Sequence, residues 1–345
     1  MRDCGIRLLL LALLVWPALA FCKQNNATNG SKAEQQSDTK SAPKEVENWK
    51  VLDDIKSGLQ PSPPFEVQTE EQPEFVRELV RVQWRPDDPI DLWIIRPTAP
   101  GKVPVVLYLY SYPGDPDQFR NNAWCKRATA GGFAAVGFVS ALTGERYAFR
   151  PMKQWFVSEL TESLGSTVHD VQLILNYLAD RGDLDLDHMG MFGMGSGASI
   201  AILAAEADPR IKALDLLDPW GDWPDWLRDS PAVPENERSS YTASEFLKSV
   251  APLDPVAYLP SMKRRKLRLQ QLLTQPDTPK SAKERIAASV PDSAELVRYA
   301  NAKDLLQAWQ ISGLSGWIKQ QLRPQMEPDQ QKLGLKLPHS DSARN

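Results

Sequence analysis

The chain is poor in the residues that most chemistries need. Its 345 residues include only three Cys and three His. Cys4, Cys22 and Cys125 are too few for a disulfide scaffold, and neither a Cys-x-x-Cys pair nor a His-Glu-x-x-His run offers a metal site. No cofactor is expected either. The Gly-rich stretch at 193–197 lacks the Gly-Lys-Ser/Thr ending of a phosphate loop and the longer glycine fingerprint of a dinucleotide site. A reaction that needs an imidazole has only His169, His188 and His339 to draw on. Positive charge is not in excess: 40 Lys+Arg against 44 Asp+Glu gives a net charge of −4, which speaks against a nucleic-acid partner.

What is present at the N-terminus is a targeting pattern. Arg2 and Arg7 precede an apolar run from Leu8 to Phe21. That run falls short of the roughly 20 residues a transmembrane helix needs but suits a signal-peptide core. Ala18-Leu19-Ala20 reads as the cleavage site, so residues 1–20 are expected to be removed on export to the periplasm or medium, leaving no transmembrane segment. Leu19-Ala20-Phe21-Cys22 also resembles a bacterial lipobox, with Phe21 where a small residue belongs, so a lipid anchor on Cys22 is the alternative. Residues 21–45 are polar and predict a disordered linker carrying two glycosylation-type triplets at Asn26 and Asn29. Residues 46–323 predict a single domain, and 324–345 a disordered tail.

Within the domain, strands and helices alternate. Phe75–Trp84 and Ile90–Ile95, separated by Pro86-Asp87-Asp88-Pro89, read as a hairpin. Val103–Tyr110 and Phe133–Val139 are continuous apolar runs, the pattern of strands buried on both faces. Val168, Val171, Ile174, Leu175 and Leu178 recur at helical spacing. His188–Phe192 predicts a strand, Ala198–Ala205 a helix buried on most sides, and Ile211–Leu217 another strand. A Trp- and Pro-rich insertion covers about 219–250. Leu267–Leu273 and Leu296–Tyr299 predict strands, with helices at 280–289 and 304–322. The fold class is therefore α/β: a mostly parallel sheet with an N-terminal antiparallel hairpin, helices on both faces and a Trp-rich cap insertion. Such a sheet builds its site at the carboxyl ends of its strands.

A strand that ends in Gly193-Met194-Gly195-Ser196-Gly197 and opens into a small-residue helix resembles the nucleophile elbow of the α/β-hydrolase superfamily, in particular its dienelactone-hydrolase and acyl-peptidase-like branches. The resemblance extends over about 70–323. It implies a positive-φ residue at the elbow tip, flanked two positions away on either side by small residues. Gly193 and Gly197 supply those flanks, so Gly195 falls on the tip, where it brings no nucleophile. In the alternative register Ser196 is the nucleophile and the flanks are Met194, bulky for that place, and Ala198. The resemblance places the acid at Asp277, in Gln275-Pro276-Asp277, which reads equally well as a plain turn. It places Asp304 where the histidine belongs, and an ordinary carboxylate does not shuttle protons near neutrality as imidazole does. His169 is the remaining candidate base: it is expected near the start of the helix before the elbow strand, which the resemblance puts on the active-site side, with Asp170 and Glu159 nearby; the other reading is a purely local role on that helix. Tyr112, Gly114 and the amide of Gly197 are the candidate oxyanion and pocket groups.

Asp218-Pro219-Trp220-Gly221-Asp222-Trp223-Pro224-Asp225-Trp226 emerges on the site face. Trp220, Trp223 and Trp226 are read either as a pocket roof for an acyl chain, ring or sugar, or as a structural cluster holding the insertion. Gly144-Glu145-Arg146-Tyr147 is a second loop on that face, and Lys263-Arg264-Arg265-Lys266 a solvated charge run on the opposite one. The expected function is an exported α/β-hydrolase-like protein that turns over weakly or only binds a small ester, peptide or acyl ligand. The alternatives are an active serine esterase or peptidase using Ser196, and a tethered envelope interaction protein.

Overall fold

The computed structural model describes residues 63–85, 88–111, 117–138 and 160–323. The segments expected as leader, linker and tail, with Tyr112, Gly114, residues 144–147 and Glu159, lie outside the described residues.

A nine-stranded sheet forms the body. Its strands are β1 (Glu66–Glu71), β2 (Phe75–Arg85), β3 (Asp88–Pro97), β4 (Val103–Leu109), β5 (Ala134–Phe138), β6 (Leu184–Met194), β7 (Ile211–Leu217), β8 (Lys266–Leu272) and β9 (Glu295–Tyr299), in the spatial order β1-β2-β3-β5-β4-β6-β7-β8-β9. β1, β2 and β3 pair antiparallel, β3 pairs antiparallel with β5, and every pairing from β5 to β9 is parallel. This is the architecture expected from the hairpin and the strand–helix alternation.

The apolar runs explain why the parallel strands sit inside. Successive side chains of a strand point to opposite faces. In β4, Val105, Leu107 and Leu109 join one core, while Val106 and Tyr108 join the other. The first core packs α3 (Leu160–Ala179) and α4 (Ser196–Ala207) onto the sheet through Val168, Val171, Leu175, Ile200 and Leu203. The second packs α1 (Asp117–Arg120), α2 (Asn122–Thr129) and α10 (Gly316–Leu322) through Phe119, Cys125, Ile318 and Leu322. All of α4 is buried except Glu206, which accounts for its run of Ala and Ile.

The insertion after β7 holds α5 (Trp223–Asp229), α6 (Arg238–Tyr241) and α7 (Ser244–Val250), and continues through short 3-10 turns to Arg264. Asp254 ties it together, its carboxylate accepting from the amides of Asp222 at 2.9 Å and Trp223 at 3.0 Å. The expected helix over 304–322 is two helices, α9 (Ala302–Ser312) and α10, after α8 (Lys280–Ser289). The break has a local cause: Gly313 takes φ +75° and its amide closes α9 on the Trp309 carbonyl at 2.8 Å. β1 was not expected, because Glu66, Glu70 and Glu71 mask its pattern; as an edge strand it leaves Glu70 and Glu71 exposed, Glu70 paired with Arg77.

Candidate functional site

The turn between β6 and α4 lies at the carboxyl edge of the sheet. Gly195 is its tip, at φ +50° and ψ −119°. Its amide donates to the Leu217 carbonyl at 2.9 Å, and its carbonyl accepts from the amides of Ala198 at 3.1 Å and Ser199 at 3.2 Å. The tip is thus fixed between β7 and the first turn of α4. The flanking glycines are there for close approach. A Cβ on Gly193 would lie 2.5 Å from Ala198 Cα and 2.7 Å from Ala198 N. A Cβ on Gly197 would lie 2.6 Å from the Leu109 carbonyl carbon, so α4 rests directly on the end of β4. Ser196 is the first residue of α4 and is 2% exposed.

Ser111, in the segment leaving β4, stands against the tip. A Cβ on Gly195 would overlap the Ser111 hydroxyl and lie 2.8 Å from Ser111 Cβ and 3.3 Å from Trp220 Nε1. Ser199 Oγ donates to the Trp220 carbonyl at 2.6 Å, which anchors the start of the insertion to α4.

The structure does not bring all the sequence-derived candidates together. His169 is not at the start of its helix. α3 already runs from Leu160, so His169 lies some two and a half turns in, on the order of 13 Å along the axis. Its Nδ1 is 3.3 Å from Gln172 Oε1 and its ring meets Trp84 edge-on at 6.2 Å; Trp84 Nε1 donates to Asp170. His188 pairs with Asp185 at 2.8 Å in the first half of β6. Asp304 is exposed in the first turn of α9, where its amide donates to Asn301 Oδ1 at 3.2 Å and its carboxylate accepts from Asn301 Nδ2 at 3.0 Å. That reciprocal pair caps a helix.

Of the two readings of the Trp run, the packing of Trp223 and Trp226 matches the structural cluster. They are 1% and 0% exposed and meet edge to face at 5.7 Å, with Trp223 Nε1 donating to the Leu253 carbonyl. They pack the insertion onto the sheet, and Trp220, 5.0 Å from Trp226, is the member of the cluster that reaches the elbow.

Asp277 is half-buried in the segment after β8. Burial raises its carboxyl above the usual range, and the charge of Lys283 counters this. The sequence reading missed both of its charged neighbours. Asp218 follows β7 at φ +45°, and its carboxylate accepts from the Leu272 amide at 3.1 Å. Burial pushes its pKa up to about 7, against the pull of Lys283 at 3.8 Å. Lys283 is itself buried in α8 and donates to the carbonyls of Leu272 at 2.6 Å and Gln275 at 2.7 Å; burial lowers its pKa. Asp218, placed directly after an apolar strand, carried a sequence signal; Lys283, in a run of Lys, Ala and Glu, carried none.

Chemically, the elbow presents helix N-terminal amides and a neighbouring hydroxyl, with no side chain at its tip. Among the described residues no group of three or more His, Cys, Asp or Glu is placed to hold a metal ion. No described helix is long and apolar enough to cross a membrane.

Comparison with known proteins agrees with this geometry. The chain is similar in structure to acetyl xylan esterase 1 from Thermoanaerobacterium sp. JW/SL YS485, with a TM-score of 0.59 and 15% identity, over 78% of this chain and 92% of that one. It is similar to an acetyl xylan esterase from Paenibacillus sp. R4, with a TM-score of 0.59 and 16% identity, over 79% and 92%. It is also similar to the Pyrococcus horikoshii acylaminoacyl peptidase, with a TM-score of 0.51 and 15% identity, over 70% and 38%. These are α/β-hydrolase folds, and at such identities the likeness is one of fold. No curated protein sequence matches the chain. The family model of X-Pro dipeptidyl-peptidases (S15 family) matches residues 88–320. With more than half of its length under that model and the sheet of an α/β-hydrolase around a glycine elbow, the chain belongs to the X-Pro dipeptidyl-peptidase (S15) family.

Proposed function

We propose that this family member is an exported protein that binds an ester, peptide or acyl ligand at the elbow and turns it over weakly or not at all. The observation that carries the reading is the register of the turn. Gly195 holds the positive-φ tip, with Gly193 and Gly197 as the two tight flanks, so the tip offers no hydroxyl or thiol for acyl transfer. Ser196 is one residue further on, inside the first turn of α4 and 2% exposed. The histidine place after β9 carries Asp304, an exposed helix-capping carboxylate. Proteins that lose a triad member keep only about 10³–10⁴-fold acceleration over water. The names of the family and of its structural relatives supply the probes: acetyl esters, acylated aminoacyl compounds and X-Pro dipeptides. Export belongs to the proposal on the strength of the charged and apolar leader over residues 1–20.

Turnover of p-nitrophenyl acetate and of an X-Pro p-nitroanilide tests it. The expected result is acceleration no greater than about 10⁴-fold over buffer, the same in Ser196→Ala. A turnover number of about 1 s⁻¹ or more, abolished in Ser196→Ala, would instead make this an active serine hydrolase.

A further inference from the structure

We infer that the cavity on the outer strands of the sheet is a second ligand site, built for a small ring that carries a carboxylate. Directly paired residues of neighbouring strands share a face of the sheet. Gln68 of β1 pairs with Leu79 of β2, Leu79 with Trp93 of β3, and Trp93 with Gly137 of β5, so they form one row across the sheet. The row ends on a residue with no side chain, and Phe119 occupies the gap: a Cβ on Gly137 would overlap its ring. That contact seats α1 on the sheet and carries Arg120 over the Trp93 indole, 5.5 Å from the ring centroid. Glu70 and Arg77, paired across β1 and β2 on the same face, close one side as an ion pair. Arg77 fixes that wall to α1 and α2 by donating to the Arg120 carbonyl at 2.8 Å and to Asn122 Oδ1 at 3.1 Å. The space left between Gln68, Glu70, Arg77, Leu79, Trp93 and Arg120 is a cavity of about 380 Å³.

The lining decides the ligand. Trp93 and Leu79 give an apolar floor against which a ring buries area. The charge of Arg77 is matched by Glu70 inside the cavity, so Arg120 sets the sign of what binds, and a cation selects an anion. Arg120 also meets Asp117 at 3.1 Å, but those side chains are 50% and 70% exposed. Ion pairs so open to water are weak, so a carboxylate entering beside the buried indole displaces Asp117 and gains a charge-assisted contact with the guanidinium. The volume is near the lower end of small-molecule sites, which suits a ligand built on one ring. β3 lies three strands from β6, about 14 Å at the usual spacing, so the cavity is separate from the elbow and the inference does not depend on what the elbow does. Two sources supply this chemistry, an aromatic acid and a uronic sugar.

Saturation-transfer NMR on the full-length chain tests this, with benzoate and glucuronate as the ring acids and benzamide and glucose as their neutral counterparts. The expected result is saturable binding of at least one acid with a Kd of about 1 mM or tighter, and binding of its neutral counterpart about fivefold weaker or more. Binding of benzoate alone identifies the aromatic source, and binding of glucuronate alone the sugar. Arg120→Gln and Gln68→Glu place the ligand in this cavity. Both positions are exposed, so both variants are expected to keep the wild-type melting temperature. The first removes the pairing charge and the second sets a negative charge against the ligand's own, so each should weaken binding about fivefold or more. Unchanged affinity in either folded variant overturns the inference. So does equal binding of acid and neutral counterpart, or no saturable binding of either acid below about 20 mM.

Discussion

Gly193, Gly195 and Gly197 share one turn for different physical reasons. Gly195 satisfies a dihedral requirement as well as clearance from Ser111, whereas Gly193 and Gly197 satisfy a distance requirement against Ala198 and Leu109. The atoms met at Gly193 are backbone atoms of α4, which cannot rotate away. Gly193→Ala should therefore destabilise the protein by at least about 2 kcal/mol, read from urea unfolding, with the slope of the transition unchanged. A loss below about 0.5 kcal/mol would mean that α4 does not lie on β6 as described. At this scale much was legible in the sequence: the spacing of the three glycines alone favoured Gly195 as the tip, and the dihedrals agree. The contact of Ser111 with the tip was not legible, because Gly195 is 84 positions away and only the parallel β4–β6 pairing brings the two together. His169 was misplaced for a related reason: periodicity marks a helix but leaves its first residue undetermined, and the helix begins well before it.

Between elements, the carboxyl ends of β7 and β8 are joined by a buried charge cluster. Asp218, at the end of β7, accepts from the Leu272 amide of β8, and Lys283 of α8 holds the carbonyls of Leu272 and Gln275 between Asp218 and Asp277. The folded protein holds a proton on Asp218 up to about pH 7, whereas the unfolded chain releases it near the ordinary aspartate value of about 4. The folded state therefore binds more protons across that window, so this group's stabilisation is complete below about pH 4 and is lost as pH rises through about 7. Unfolding free energies measured from pH 4 to pH 8 should fall more steeply in wild type than in Asp218→Asn, by a difference on the order of 3 kcal/mol across the range. Parallel curves would place Asp218 in water rather than between β7 and β8. The elements themselves follow from their sequences with clear exceptions. The continuous apolar runs of β4 and β5 marked interior strands, but β1 hid behind its glutamates and Gly313 cut a helix that periodicity had run together.

At the scale of the whole molecule, the described residues build one nine-stranded sheet, and the family model covers residues 88–320. The order of the sheet was readable because a hairpin followed by strand–helix units leaves few arrangements, and the right-handed crossover rule removes most of those. What the site holds was less readable, because only the fold shows that Trp220, just after β7, lies beside Gly195. If the leader functions as proposed, intact mass of the exported protein should correspond to a chain starting at Phe21; a mass starting at Met1, or one with lipid on Cys22, contradicts simple cleavage after Ala20. The central claim concerns the elbow, and intact-mass spectrometry after exposure to a fluorophosphonate tests it most directly. With glycine at the tip, the folded protein should remain unmodified under conditions that label an ordinary serine hydrolase to completion. Stoichiometric addition of one phosphonate, mapped to Ser196 and abolished in Ser196→Ala, would contradict it.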